Sequence, residues 1–141
     1  MSKSKNGIKL IIAGSRTITN YEKVKPIIDK IVKENKIKVA EVFSGKAAGM
    51  DKLGEQWADE LKIPIKSFPA DWKNISIKGA LIKEGQYGKY NALAGIWRNH
   101  KMGDEADAAI VIWTGGSCGS ADMIDYMNKI NKPVYTIMVN V

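Results

Sequence analysis

Six consecutive apolar residues, Ala108-Ala109-Ile110-Val111-Ile112-Trp113, constrain the fold of this 141-residue chain more than any other stretch. A run this short, β-branched at its centre and closed by Thr114-Gly115-Gly116, reads as a strand. With no polar residue on either face, it belongs inside a parallel sheet that is covered on both sides. Residues 9–13, 39–43, 63–68 and 134–139 read as four further strands. Between them the apolar residues switch to helical spacing. Val24, Ile27, Ile28 and Ile31 follow a candidate N-cap at Asn20, with Pro26 early enough to be tolerated. Leu53, Trp57 and Leu61 recur every four residues and stop before Pro64. Met123, Ile124 and Met127 mark a helix over residues 122–131. Strands alternating with helices predict a doubly wound α/β domain over residues 1–141: a mostly parallel sheet of about five strands with helices on both faces.

One connection breaks the alternation. Residues 69–96 hold Ala70-Asp71-Trp72, Gly79, Gly85, Gly88 and Gly95, with Tyr87 and Tyr90 among them. A connection this long inside a small domain is either a functional loop or a surface excursion folded on itself. Residues 73–95 are therefore expected to form a lid or such an excursion. The remaining bulk properties mostly exclude. A single cysteine rules out an internal disulfide and fits a reducing compartment, so a cytoplasmic location is expected. One cysteine and one histidine leave no set of zinc ligands, and neither a metal nor a cofactor is expected. No apolar run is long enough to span a bilayer, so no membrane partner is expected. The net charge of +7 suggests an anionic partner, or simply a solvated lysine surface.

Within that charge the choice of residue is informative. The chain carries twenty lysines and two arginines, Arg16 and Arg98. Arginine offers a planar fork of donors that matches a phosphate or carboxylate, which lysine cannot do. Arg16 ends Gly14-Ser15-Arg16, directly after the first strand. Arg98 opens Arg98-Asn99-His100-Lys101-Met102, read here as a loop. Two more small-residue loops follow strands. One is Ser44-Gly45-Lys46-Ala47-Ala48-Gly49-Met50-Asp51; the other is Thr114-Gly115-Gly116-Ser117-Cys118-Gly119-Ser120. In an open parallel sheet, ligands bind beyond the carboxyl ends of the strands. Glycine lets the backbone approach a ligand closely, and helices after the second and third loops would aim free amides at the same crevice.

Other motifs fail. No Gly-x-Gly-x-x-Gly follows the first strand, and no glycine loop ends in Gly-Lys-Ser/Thr. Gly115-Gly116-Ser117-Cys118-Gly119 has the form of a nucleophile elbow, but that mechanism needs a histidine later in the chain, and His100 precedes Ser117.

Taken in order, these motifs resemble the SLOG superfamily, named for the Smf/DprA and Lonely Guy proteins, and within it the small stand-alone YspA/YpsA-related branch. The residues that carry the resemblance are Gly14-Ser15-Arg16 and the stretch from Phe43 to Asp51 with Gly54, Glu55 and Trp57-Ala58. Ala70-Asp71-Trp72, Arg98-Asn99 with Met102, and the loop from Gly115 to Ser120 complete the set. The resemblance implies a Rossmann-like sheet that binds nucleotides or nucleotide-derived molecules, and pairing into a homodimer or larger homo-oligomer.

Three functions follow. The first is binding of a nucleotide or NAD-derived ligand such as ADP-ribose, as a sensor or a sequestering sponge in bacterial or phage immune signalling. Arg16 and the loop amides would hold phosphate, Ser44 and Asp51 would contact ribose or orient the loop, and Trp72 or Trp113 would stack a base. The ligand-binding set is then Gly14, Ser15, Arg16, Ser44, Gly45, Lys46, Gly49, Asp51, Trp72, Arg98, Asn99, Thr114, Gly115, Gly116, Ser117, Gly119 and Ser120. The second function is nucleoside 5′-monophosphate phosphoribohydrolysis of the Lonely Guy type. Arg98 matches that family's arginine, Met123 stands where its glutamate should be, and Asp122 is the adjacent carboxylate. The catalytic pair would be Arg98 and Asp122. The third is single-stranded DNA binding by lysines and aromatics.

Overall fold

The computed structural model describes residues 7–76, 78–86, 88–116 and 118–140. Five parallel strands form the main sheet: β1 (Ile8–Gly14), β2 (Val39–Ser44), β3 (Ile65–Ser67), β6 (Ala108–Trp113) and β7 (Val134–Met138). Their order is β3-β2-β1-β6-β7. The helices are α1 (Tyr21–Glu34), α2 (Met50–Glu60), α3 (Ala94–Glu105) and α4 (Cys118–Lys129). A short antiparallel hairpin, β4 (Ile82–Gly85) with β5 (Gly88–Asn91), stands apart as a second sheet. The sequence-based reading of a doubly wound α/β fold is met.

The two-residue period of β1 explains the layering. Leu10 and Ile12 are buried with Val24, Ile28, Leu53 and Trp57 from α1 and α2. Ile11, between them, is buried with Met102 of α3 and Met123 and Met127 of α4. Ala108 to Ile112 are all buried, as the unbroken apolar run requires. Chain order turns back at the boundary between β1 and β6: the first half of the chain winds out to β3, and the second half winds out to β7.

Several details depart from the sequence reading. The residues around Arg98 are not a loop; they form α3. The fourth helix starts at Cys118, ahead of the expected 122. The four-residue spacing puts Leu61 on the apolar stripe of α2, but it lies just past the helix end and is 54% exposed. Pro26 is the sixth residue of α1, beyond the first turn, so it removes one intrahelical bond there.

Three helices end in the same way. Lys36 (φ 52°), Lys62 (φ 58°) and Asn131 (φ 60°) adopt the left-handed conformation just past α1, α2 and α4. The next amide then reaches back along the helix: Ile37 N–H to the Val32 carbonyl, Ile63 N–H to Ala58 and Lys132 N–H to Met127. This satisfies carbonyls that would otherwise be orphaned, and it turns the chain into the next strand. Lysine carries the steric cost of left-handed backbone that glycine does not. Lys36→Gly and Lys62→Gly are therefore each expected to raise stability by about 0.5–1 kcal/mol in urea unfolding. A loss of stability in both would contradict the geometry.

Candidate functional site

The boundary between β1 and β6 is where the loops after neighbouring strands diverge, and a cleft opens there. Close contact between the strand ends sets its floor. A Cβ on Gly14 would lie 1.8 Å from the Ile112 carbonyl oxygen, so only glycine fits. Ser15, 3% exposed, ties the loops together. Its N–H donates to the Ile112 carbonyl (3.2 Å), and its hydroxyl accepts the Thr114 N–H (3.0 Å). Its carbonyl accepts the amides of Ile18 (3.3 Å) and Met50 (3.1 Å), the latter the first residue of α2. Gly49 (φ 75°) lies directly on the Arg16 backbone, where a Cβ would come within 2.3 Å of the carbonyl oxygen. The first two loops are therefore held against each other.

Of the residues expected at the site, Gly14, Arg16, Asp51, Arg98, Asn99, Gly119 and Ser120 line the cleft, which has a volume of about 80 Å³. Ala13, Ala47, Met102 and Met123 complete its wall; the last three lie in or beside the motifs that carry the family resemblance, but their small or apolar side chains do not mark them as ligand contacts. Gly45, Lys46 and Trp72 line an adjoining groove of about 270 Å³ together with Arg16 and Arg98. Thr114, Gly115 and Gly116 do not line the cleft, and Ser117 lies outside the described residues.

Ser15 and Ser44 are both buried. Ser44 donates to Glu55 at 2.6 Å and accepts the Lys46 N–H at 3.2 Å, so its hydroxyl is used in shaping its own loop. Lys46 is paired with Glu55 at 2.9 Å. Trp113 is half-buried against the α3/α4 face of the sheet, and its indole N–H is buried without a partner.

The two arginines differ in role. Arg98 is half-buried and directed by α3 across to the neighbouring loops. Its Nε donates to Asn99 Oδ1 (3.0 Å), and its Nη1 donates to the carbonyls of Gly45 and Phe68, the latter at 3.3 Å. Arg16 is exposed, with no hydrogen-bond or ion-pair partner among the described residues. Desolvation dominates the lowering of the Arg98 pKa; Asp51 opposes it, and the Arg16 charge adds to it.

Asp51, 6% exposed, is the carboxylate of the cleft. It accepts the Ala47 N–H at 3.1 Å. Burial pushes its pKa up to about 6, although that hydrogen bond and both arginines pull the other way.

Asp122 faces elsewhere. It lies 3.1 Å from His100 Nε2 and accepts from Asn99 Nδ2 at 3.3 Å, while the same Asn99 amide donates to the Gly119 carbonyl at 3.1 Å. The His100 ring stacks on Tyr126, with centroids 4.0 Å apart. Asn99, 8% exposed, thus joins Arg98, the start of α4 and Asp122. Met123, not Asp122, reaches the cleft.

The fold and site define an α/β domain with a positively charged cleft at its topological switch point. Residues 8–74 match the model of the family described as YspA, cpYpsA-related SLOG. Over that stretch, just under half of the chain, the protein is similar to the SLOG superfamily. Its fold is similar to the X-ray structure of DNA processing protein A (DprA) from Streptococcus pneumoniae, with a TM-score of 0.66 at 14% identity over 97% of this chain. The chain spans about half the length of that structure, 52%. No curated protein matches the chain in sequence. The family match covers β1 to β3 with Arg16, Asp51 and Trp72; Arg98 and the loop after β6 lie beyond it. No helix among the described residues is long and apolar enough to cross a membrane.

The buried Asp51 makes stability depend on pH. Its pKa in the folded protein, about 6, exceeds the usual 3.8, so the folded state binds the proton more tightly than the unfolded chain. The stabilisation from this group is complete below about pH 4 and is lost as pH rises through 6. Asp51→Asn should therefore gain stability relative to the parent at about pH 8, and the gain should vanish at about pH 4. Urea unfolding at the two pH values reads the difference; an equal effect at both would show that Asp51 is not desolvated.

Proposed function

We propose that this protein binds a nucleotide through its phosphate in the switch-point cleft. The carrying observation is the convergence of the chain's only two arginines on one cleft, facing a single carboxylate. Like charges held this close are unfavourable unless an anion joins them. Arg98, oriented by carbonyl and amide acceptors, would present its remaining donors to phosphate, and the exposed Arg16 would close over it. Positions at strand ends and at the starts of α2 and α4 add backbone amides and the favourable dipole ends of two helices.

The supported role is a binder, acting as a sensor or sequestering sponge for a nucleotide or NAD-derived ligand, rather than a phosphoribohydrolase. Hydrolysis of the Lonely Guy type needs a carboxylate at the sugar. Asp122 is engaged with His100 and Asn99, and an apolar methionine takes the adjoining place in the cleft. The cleft's own carboxylate, Asp51, is buried on the Ala47 N–H beside the arginines that would hold phosphate rather than sugar. DprA, which shares the fold, is by its name a DNA processing protein. For this chain, two arginines converging on one cleft support a small phosphate-bearing ligand over a strand of DNA.

Mass spectrometry of ligand recovered from denatured protein tests this directly. The chain would first be incubated with nucleoside monophosphates, ADP-ribose and cyclic ADP-ribose isomers, then washed. An intact ligand at near-stoichiometric amount is expected; free base in catalytic excess would overturn the binder in favour of the hydrolase. Arg98→Ala should weaken binding about 10–100-fold, the range for charge-assisted hydrogen bonds of about 1.5–3 kcal/mol. Arg98→Lys should not restore it. Affinity should fall only gently with salt, by isothermal titration between about 50 and 200 mM; a fall of about 10³-fold would instead indicate many phosphate contacts along a nucleic acid.

A further inference from the structure

The cleft is the smallest of the spaces around the two arginines, at about 80 Å³. It suits a phosphate, and the rest of a nucleotide would extend beyond it. Two larger grooves continue from it. The groove of about 270 Å³ is shared by Arg16, Arg98 and Trp72. A further groove of about 400 Å³ lies against the β4–β5 hairpin, lined by Arg16, Trp72, Lys73, Gln86, Lys89 and Tyr90. Arg16 lines all three spaces, so they adjoin at that residue. Of the three spaces that Arg16 lines, the hairpin groove is the one with the size of a small-molecule site, about 300–1,000 Å³.

Its aromatic walls are set in advance. Trp72 and Tyr90 stand edge to face, with centroids 6.4 Å apart and planes at 66°. The Trp72 ring lies so close to Gly95 of α3 that a Cβ there would approach it to 2.9 Å. The Trp72 carbonyl accepts the Asn91 N–H at 2.6 Å. Asn91, 1% exposed, in turn accepts the amides of Leu81 (3.3 Å) and Leu93 (3.0 Å), anchoring both ends of the hairpin. Two cations complete the groove. Lys73 and Lys89 form no ion pair among the described residues, even though Glu84 faces Lys89 across the hairpin. A ring face flanked by free ammonium groups suits a neutral heteroaromatic ring with an anionic group attached nearby.

We propose that the hairpin groove is a second subsite, taking the nucleobase against Trp72 and Tyr90 and a second phosphate at Lys73 and Lys89. The ligand is then a nucleoside bisphosphate, with a phosphate on each side of its ribose. Arg16, at the junction, lies between the two anionic positions. This rests on the phosphate reading of the cleft and adds a specificity that the cleft cannot supply.

The test is isothermal titration of the full chain, at one salt concentration, with adenosine 5′-monophosphate and adenosine 3′,5′-bisphosphate, repeated with the guanosine pair. The bisphosphate should bind at least tenfold more tightly than the monophosphate in one series. Trp72→Ala, and separately Lys73→Ala with Lys89→Ala, should bring that ratio close to one. Lys73 and Lys89 are exposed, so their double variant reports on binding even if the tryptophan variant folds poorly. Equal affinities in both series, or a ratio unchanged in the double lysine variant, would overturn the second subsite while leaving the cleft intact. Loss of all binding in the parent would overturn both readings. An affinity that keeps rising from a dinucleotide to a dodecamer would replace a two-phosphate ligand with a single-stranded tract.

Discussion

The contact between the ends of β1 and β6 is the constraint on which the rest of this structure depends. β1 pairs in parallel with β2 on one side and β6 on the other, so it must be apolar on both faces and carry no bulk at its end. Gly14 meets the last condition because the Ile112 carbonyl occupies the space of a side chain. Ser15 then uses its amide, hydroxyl and carbonyl to fix the turn after β1, the loop after β6 and the start of α2. Without that junction the two halves of the sheet would still pair, but the loops would have no fixed relation to one another. The cleft is the space left between those loops.

Charge is placed on this scaffold at a cost that a ligand can offset. Arg98 is desolvated, Asp51 is nearly buried, and Arg16 repels Arg98. Helix α3 presents Arg98 to the carbonyls of Gly45 and Phe68, just past the ends of β2 and β3, so the guanidinium is oriented before anything binds. Such preorganisation lowers the ordering cost of association. The hairpin repeats the device with rings in place of charges, since Asn91 and Gly95 fix Trp72 relative to Tyr90.

The sheet was legible because its central strands, β1 and β6, are largely apolar on both faces and the loops after them are small. α3 was not. Its buried positions are Ala94, Asn99, Met102 and Gly103, while Ile96 points outward at 38% exposure. A helix that buries an asparagine and a glycine has no apolar stripe to detect. Asn99 can be buried because its amide is satisfied by Gly119 and Asp122, both remote in the chain. The serines were ambiguous for a related reason. A small polar residue after a strand suits a ligand contact or a loop hinge equally, and Ser15 and Ser44 both serve their own loops. Nor did any local signal distinguish Asp122 from Met123; the orientation of α4 did.

Pattern alone determined the layers, the parallel sheet, the loops that gather at its carboxyl edge and the chemical type of their charges. These follow from periodicity and side-chain chemistry, which act over a few residues. Tertiary structure decided which of those residues meet. It brought Arg98 beside Arg16 across some eighty residues of chain and turned Asp122 toward His100. It also buried Asp51 far enough to move its proton affinity and set Trp72 against a hairpin that no local pattern announced. Each of these depends on distance and desolvation between segments remote in sequence, and those quantities exist only once the chain has folded.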